Sequence, residues 1–197
     1  MISAQDLKEQ AKQHLFDSAA IKHQVAEVCL DSILTAATAI STSFKHGGKL
    51  LLCGNGGSAA DCQHMAAEFV NYLTKDFKRD GLPAIALTTD TSFLTAYSND
   101  CGFDGVFERQ VKTIGKAGDV LIGISSSGNS TNVVRGVEAA QALGIITIVL
   151  SGSKGILNSL ADVVIAVPSH STQFIQESHL AIEHILCALT ERLYFNL

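Results

Sequence analysis

His64 and Glu68 stand four residues apart, so on a helix they share one face, an imidazole beside a carboxylate. Such a pair can move protons or hold a divalent cation. Just ahead of them runs Gly54-Asn55-Gly56-Gly57-Ser58. Its glycines allow a sharp turn and leave room for a ligand against the main chain. Asn55 and Ser58 add short polar side chains beside the free N–H groups of a helix start, where the helix dipole favours an anion. A cradle for phosphate and a His/Glu pair on one short segment point to chemistry on a phosphorylated substrate.

A second hydroxyl-rich stretch is Ser125-Ser126-Ser127-Gly128-Asn129-Ser130-Thr131. An ordinary helix cap needs one hydroxyl, and this loop has five. Hydroxyls and amide N–H groups together can wrap a phosphate without any lysine. Asn99-Asp100 reads either as a turn or cap or as a polar pair facing sugar hydroxyls. Near the C-terminus, Gln176, Leu180 and His184 lie toward one side of a helix, with Gln176 and His184 roughly 12 Å apart along its axis. His179 reads as a packing residue. Two imidazoles, a carboxylate and an amide oxygen from His64, Glu68, His184 and Gln176 suit zinc or a related first-row ion, provided that the two distant segments meet.

The elements that must position these residues follow from the hydrophobic pattern. Short apolar runs at Lys49–Cys53, Ala84–Thr88, Asp119–Ile124, Ile145–Leu150 and Val163–Val167 alternate with helical stretches. The helices are expected near 57–73, 91–98, 103–114, 129–143 and 172–193, with a weak one near 154–160. This pattern predicts an α/β fold: a parallel sheet covered by helices on both faces, with ligands at the carboxyl ends of its strands. The two prolines, Pro83 and Pro168, flank strands and leave their ladders intact. Residues 3–46 contain neither Pro nor Gly and show helical periodicity, with Ser3 and Asp6 as a cap. They predict two helices or one bent helix ending at His46-Gly47-Gly48. Such a lead exceeds what one sheet can cover, so it is expected to pack on another subunit. The whole of 1–197 is read as one domain, with 1–46 a helical extension used in oligomerisation.

The net charge of −5 argues against nucleic acid as a partner. Lys75, Lys78 and Arg79 form the tightest basic group and read as a solvated surface turn. No apolar run reaches membrane-spanning length without a polar residue, so no membrane partner is expected. Five cysteines without C-x-x-C spacing read as reduced thiols in a cytoplasmic protein. Gly54-x-Gly56-x-x-Ala59 is a loose dinucleotide fingerprint, but a nicotinamide enzyme would leave the serine-rich loop unexplained.

Taken in order, Cys-Gly-Asn-Gly-Gly-Ser from Cys53, His-x-x-x-Glu from His64, Ser-x-Ser-Gly-Asn-Ser from Ser125 and Ile-Gln-Glu-x-His from Ile175, followed by His184, resemble the sugar-isomerase (SIS) domain family, in its phosphoheptose isomerase branch. The resemblance covers nearly the whole chain. It implies a three-layer sandwich around a five-stranded parallel sheet, with an N-terminal helical extension. The implied assembly is a homotetramer with active sites between subunits. The implied reaction is an aldose–ketose isomerisation through an enediol, from sedoheptulose 7-phosphate to D-glycero-D-manno-heptose 7-phosphate. That is the first step toward activated heptose for lipopolysaccharide or other surface polysaccharide. Glu68 and His184 would carry catalysis. Asn55, Gly56, Gly57, Ser58, Glu68, Asn99, Asp100, Ser125, Ser126, Ser127, Ser130 and Gln176 would contact the sugar phosphate. One zinc ion per subunit would bind at His64, Glu68, Gln176 and His184. Many members carry arginine where Tyr72 and Phe174 stand here, and have a slightly shorter stretch than Leu73–Leu82. The alternatives are isomerisation of another sugar phosphate, or a non-catalytic SIS module that binds sugar phosphates or a replication initiator.

Overall fold

The computed structural model describes residues 2–197. Helix α1 (Ala4–Val28) opens on a capping box: the Asp6 N–H donates to the Ser3 hydroxyl at 3.1 Å, and the Ser3 N–H donates to the Asp6 carboxylate at 3.0 Å. A 72° bend at Cys29 separates it from α2 (Leu30–Lys45), so the lead is two helices. The two differ in surroundings. Ile33, Ala36, Ala37, Ile40 and Phe44 of α2 recur at helical spacing and are buried on the sheet. In α1 only Ser18 and Val25 are buried, and Leu7, Leu15 and Phe16 stand exposed.

The chain then alternates: β1 (Leu50–Gly54), α3 (Gly57–Val70), β2 (Ala84–Ala86), α4 (Thr91–Cys101), a 3₁₀ turn (Phe103–Gly105), α5 (Val106–Ile114), β3 (Val120–Ser125), α6 (Thr131–Ala142), β4 (Ile146–Gly152), α7 (Leu157–Leu160), β5 (Val163–Val167) and α8 (Thr172–Phe195). The five strands are all parallel, in the order β2-β1-β3-β4-β5. Leu52 pairs with Ala86 on one side and Ile122 on the other. Every residue of β1 and β3 is buried, because helices cover both faces. Leu50, Leu52, Ile122 and Ile124 meet α2, α3 and α8, while Leu51, Cys53 and Leu121 meet the α5–α7 side. This is the three-layer sandwich expected. The chain leaves β1 for β2 on one side and returns to place β3 on the other, so the loops after β1 and β3 diverge and open a crevice at the carboxyl edge.

The boundaries shift in places. β2 stops at Ala86, and the Thr88 hydroxyl instead accepts a bond from Gln63 at 3.2 Å. α3 ends at Val70, three residues before 73, and α4 runs on to Cys101. Among the described residues no single helix is long and apolar enough to cross a membrane.

At the opposite edge of the sheet, fully buried Asp119 ties the starts of β1 and β3 together. It accepts from the Lys49 N–H at 3.0 Å, the Lys116 N–H at 2.9 Å and the Lys49 ammonium at 2.6 Å. Asp119→Ala would leave two amides and a cation without their acceptor. Urea unfolding is expected to show a loss of about 2–4 kcal/mol, with Asp119→Asn costing less.

Candidate active site

Two loops frame the crevice. In the first, Gly56 holds φ +56° and starts α3, a conformation glycine adopts without strain. The backbone of Gly57 is closely approached: a Cβ there would stand 2.8 Å from the Gln176 amide nitrogen. Gln176, from the first turns of α8, therefore sits on the glycine turn. Ser58 is buried beneath it.

The second loop follows β3. The Ser125 hydroxyl lies 3.0 Å from that of Ser130 and 3.4 Å from that of Ser127, so three hydroxyls converge. Ser130 starts α6 without using its hydroxyl as a cap. The turn is closed by Gly128 N–H donating to the Ser125 carbonyl at 3.0 Å, with Gly128 at φ +66°. Ser126 fixes the loop through its carbonyl, which accepts from Gly152 N–H at 3.2 Å, and borders a cavity of about 200 Å³ with Ser127, Ser153, Lys154 and His170.

A residue that sequence reasoning missed joins the two loops. Asn55 donates to the Asn132 side chain at 2.8 Å, and Asn132 donates back to Asn55 at 2.9 Å. Asn132 is buried in the first turn of α6. Nothing local marks it; only the register of β1 beside β3 brings it to Asn55.

Behind the glycine turn, the His64 and His184 Nε2 atoms are 2.9 Å apart, and His64 Nε2 lies 3.7 Å from the Glu68 carboxylate. One donor atom from each of the three falls within 4.8 Å of the others. Two imidazole nitrogens and a carboxylate oxygen at that spacing fit a divalent first-row ion. The grouping brings together three of the four expected ligands. Gln176 instead sits at Gly57, eight residues before His184 and so roughly 12 Å along the helix. Asn99 and Asp100 fall in the last turn of α4, exposed, with Asn99 donating to Asp100 at 2.9 Å.

Groups around the trio are strongly desolvated. Burial, and then the neighbouring Asp61, push the Glu183 carboxyl up to about 8, and both its oxygens lack hydrogen-bond partners. Burial raises Asp61 as well, opposed by His64. Burial holds the Cys53 thiol up at about 12 and Cys62 well above its ordinary value, so neither is a nucleophile at neutral pH. All five cysteines are free thiols, four of them buried. On α1, His14 and Ser18 bond the Glu177 carboxylate, and Lys22 bonds Ser18 at 2.5 Å, which clasps α1 to α8 one residue from Gln176.

His179 is fully buried, with Nε2 3.1 Å from the Ser151 carbonyl. A carbonyl only accepts, so Nε2 carries the proton and Nδ1 is left without a partner. Burial lowers this imidazole to about 4. Between about 4 and its ordinary 6.5 the unfolded chain binds the proton and the folded chain does not. Stability therefore falls as pH drops through that window, by up to ~1.4 kcal/mol per pH unit from this group. Denaturant melts from pH 6.5 to 4.5 are expected to show a shallower loss in His179→Gln than in the wild type.

Comparisons with known proteins show the family to which this fold belongs. A family model described as SIS domain matches residues 13–152. The phosphoheptose isomerase of a Roseiflexus species is 49% identical over 89% of each chain. That of Aquifex aeolicus is 48% identical over 94% of this chain and 96% of its own. The solved structure of phosphoheptose isomerase GmhA from Neisseria gonorrhoeae superposes with a TM-score of 0.87 at 42% identity, covering 94% of this chain and 98% of that one. The chain belongs to the SIS domain family, in the branch whose members are named phosphoheptose isomerases.

Proposed function

We propose that this protein is an intramolecular oxidoreductase that isomerises sedoheptulose 7-phosphate to D-glycero-D-manno-heptose 7-phosphate. The observation that carries this is the meeting of His64, Glu68 and His184 on α3 and α8, the same two helices that bring Gln176 onto the glycine turn, in a chain 49% identical to a phosphoheptose isomerase. The coarser assignment, a sugar phosphate isomerase, rests on the same relatives.

The phosphate binds at Ser125, Ser126, Ser127 and Ser130, and the glycine turn with Asn55, Gly56, Gly57, Ser58 and Gln176 holds the chain of hydroxyls. Asn99 and Asp100 complete the contacts. The reaction moves a proton between adjacent carbons. Glu68 takes it from the carbon beside the carbonyl, and the electron pair left behind forms the enediol double bond. His184 gives a proton to the carbonyl oxygen as charge develops there. The carboxylic acid of Glu68 then returns its proton to the former carbonyl carbon, while the second hydroxyl gives its proton to His184 and becomes the new carbonyl, which restores both residues. Binding energy at the remote phosphate holds the reacting carbons in place.

We further assign His64, Glu68 and His184 as the core of a zinc site, one ion per subunit; Gln176, the fourth ligand that the family resemblance implies, is held on Gly57 in the structure and would have to swing toward the trio to join them. Zinc bound there would polarise the carbonyl. Ligation lowers the basicity of Glu68, so its two roles compete. The exposed Leu7, Leu15 and Phe16 of α1 support assembly, which we take to be a homotetramer with active sites between subunits. Residues 1–197 then form one domain, with residues 1–46 contributing to assembly. The free cysteines favour a cytoplasmic location. Tyr72 and Phe174, in place of the arginines common in the branch, favour a second reading in which another sugar phosphate is preferred. Glu68 and His184 together argue against a non-catalytic module.

Glu68→Gln is expected to lower kcat on the order of 10²- to 10⁴-fold while calorimetry still detects sugar-phosphate binding. Full activity in that variant would remove Glu68 from the mechanism, and indifference to a chelator would remove the metal. Sedimentation of Leu15→Glu/Phe16→Glu should show a smaller assembly than the wild type; an unchanged one would acquit α1.

A further inference from the structure

The segment between α3 and β2 contains Lys75, Lys78 and Arg79. The lysines are exposed, but the Arg79 side chain is only 2% exposed, which corrects the reading of this group as a solvated turn. Its guanidinium lies at the end of α3, where carbonyls have no partner within the helix. Nη2 donates to the Glu68 carbonyl at 3.0 Å; Nη1 donates to Phe69 at 2.7 Å, Asn71 at 2.9 Å and Asp80 at 3.0 Å. Nε and Nη2 also bond the Glu191 carboxylate on α8, at 2.8 and 2.6 Å. The loop can fold back this far because Gly81 passes under the Val70 carbonyl, which a Cβ there would meet at 2.6 Å. One cation thus satisfies the last turn of α3, matches its negative dipole end and pins it to α8.

The two elements so joined carry the proton-transfer pair. Arg79 binds the backbone of Glu68 itself, and Glu191 lies seven residues beyond His184, roughly 10 Å along α8. We propose that Arg79, through Glu191, is a positioning residue that sets Glu68 against His184. This rests on the reading that those two residues move the protons. Lysine is a poor substitute, because a single ammonium cannot span four carbonyls and a carboxylate with the planar five-donor fork of arginine.

The test takes Arg79→Lys and the milder Glu191→Gln, with Glu68→Gln as reference, in the full chain. Steady-state kinetics on sedoheptulose 7-phosphate are paired with spectra of ¹⁵N-histidine-labelled protein. Both variants are expected to keep native circular dichroism and KM within about twofold, since the phosphate loops lie elsewhere. Arg79→Lys should lower kcat on the order of 10- to 100-fold. The His64 and His184 ring resonances should move while that of His179 stays. Unchanged kcat in a folded variant, or a rise in KM alone, overturns the proposal. Absence of turnover in the wild type would sink the isomerase reading instead. The imidazole spectra then decide: unmoved His64 and His184 signals reject the positioning role, and displaced ones retain it. Should Arg79→Lys not fold, the same readouts on Glu191→Gln decide it.

Discussion

Helices α3 and α8 lie against one another over one face of the sheet, and the trio of His64, Glu68 and His184 exists only where they meet. At one level Gln176 rests on Gly57; about two turns further along, His184 reaches His64 and Glu68. Their shared surface carries imidazoles and carboxylates as well as apolar side chains. Met65, Phe69, Ile182 and Leu186 supply the buried apolar area that keeps the pair together, and the polar groups take the remaining positions.

That arrangement has a cost in desolvation. Glu183 and His179 are both buried with unpartnered atoms, and each is driven toward its neutral form. Such groups weaken a fold rather than strengthen it. Their presence within a few residues of His184 fits a region selected for chemistry, where stability is traded for the electrostatic setting of a site.

Much of this was legible in the residues themselves. Continuous apolar runs bounded by turns gave the five parallel strands, and β5 falls at the residues expected. The glycine turn and the serine loop were conspicuous because their composition exceeds what a turn or cap requires. The failures share a cause. Arg79 read as solvated because its neighbours Lys75 and Lys78 are, while its partners, Phe69 and Glu191, are 10 and 112 residues away. Helix α3 ends at Val70, before the expected 73, and Arg79 bonds the carbonyls at that end. Asn132 and the clasp of His14 on Glu177 depend likewise on tertiary neighbours, which no local pattern encodes.

The reciprocal amide pair between Asn55 and Asn132 constrains how such a chain can drift over evolutionary time. Each side chain spends one donor and one acceptor on the other, so a change at either position strands its partner inside a buried crevice. A single substitution is thus disfavoured even where each position alone would tolerate several residues. The two positions, 77 residues apart in sequence, are energetically coupled, so the cost of changing one depends on what stands at the other.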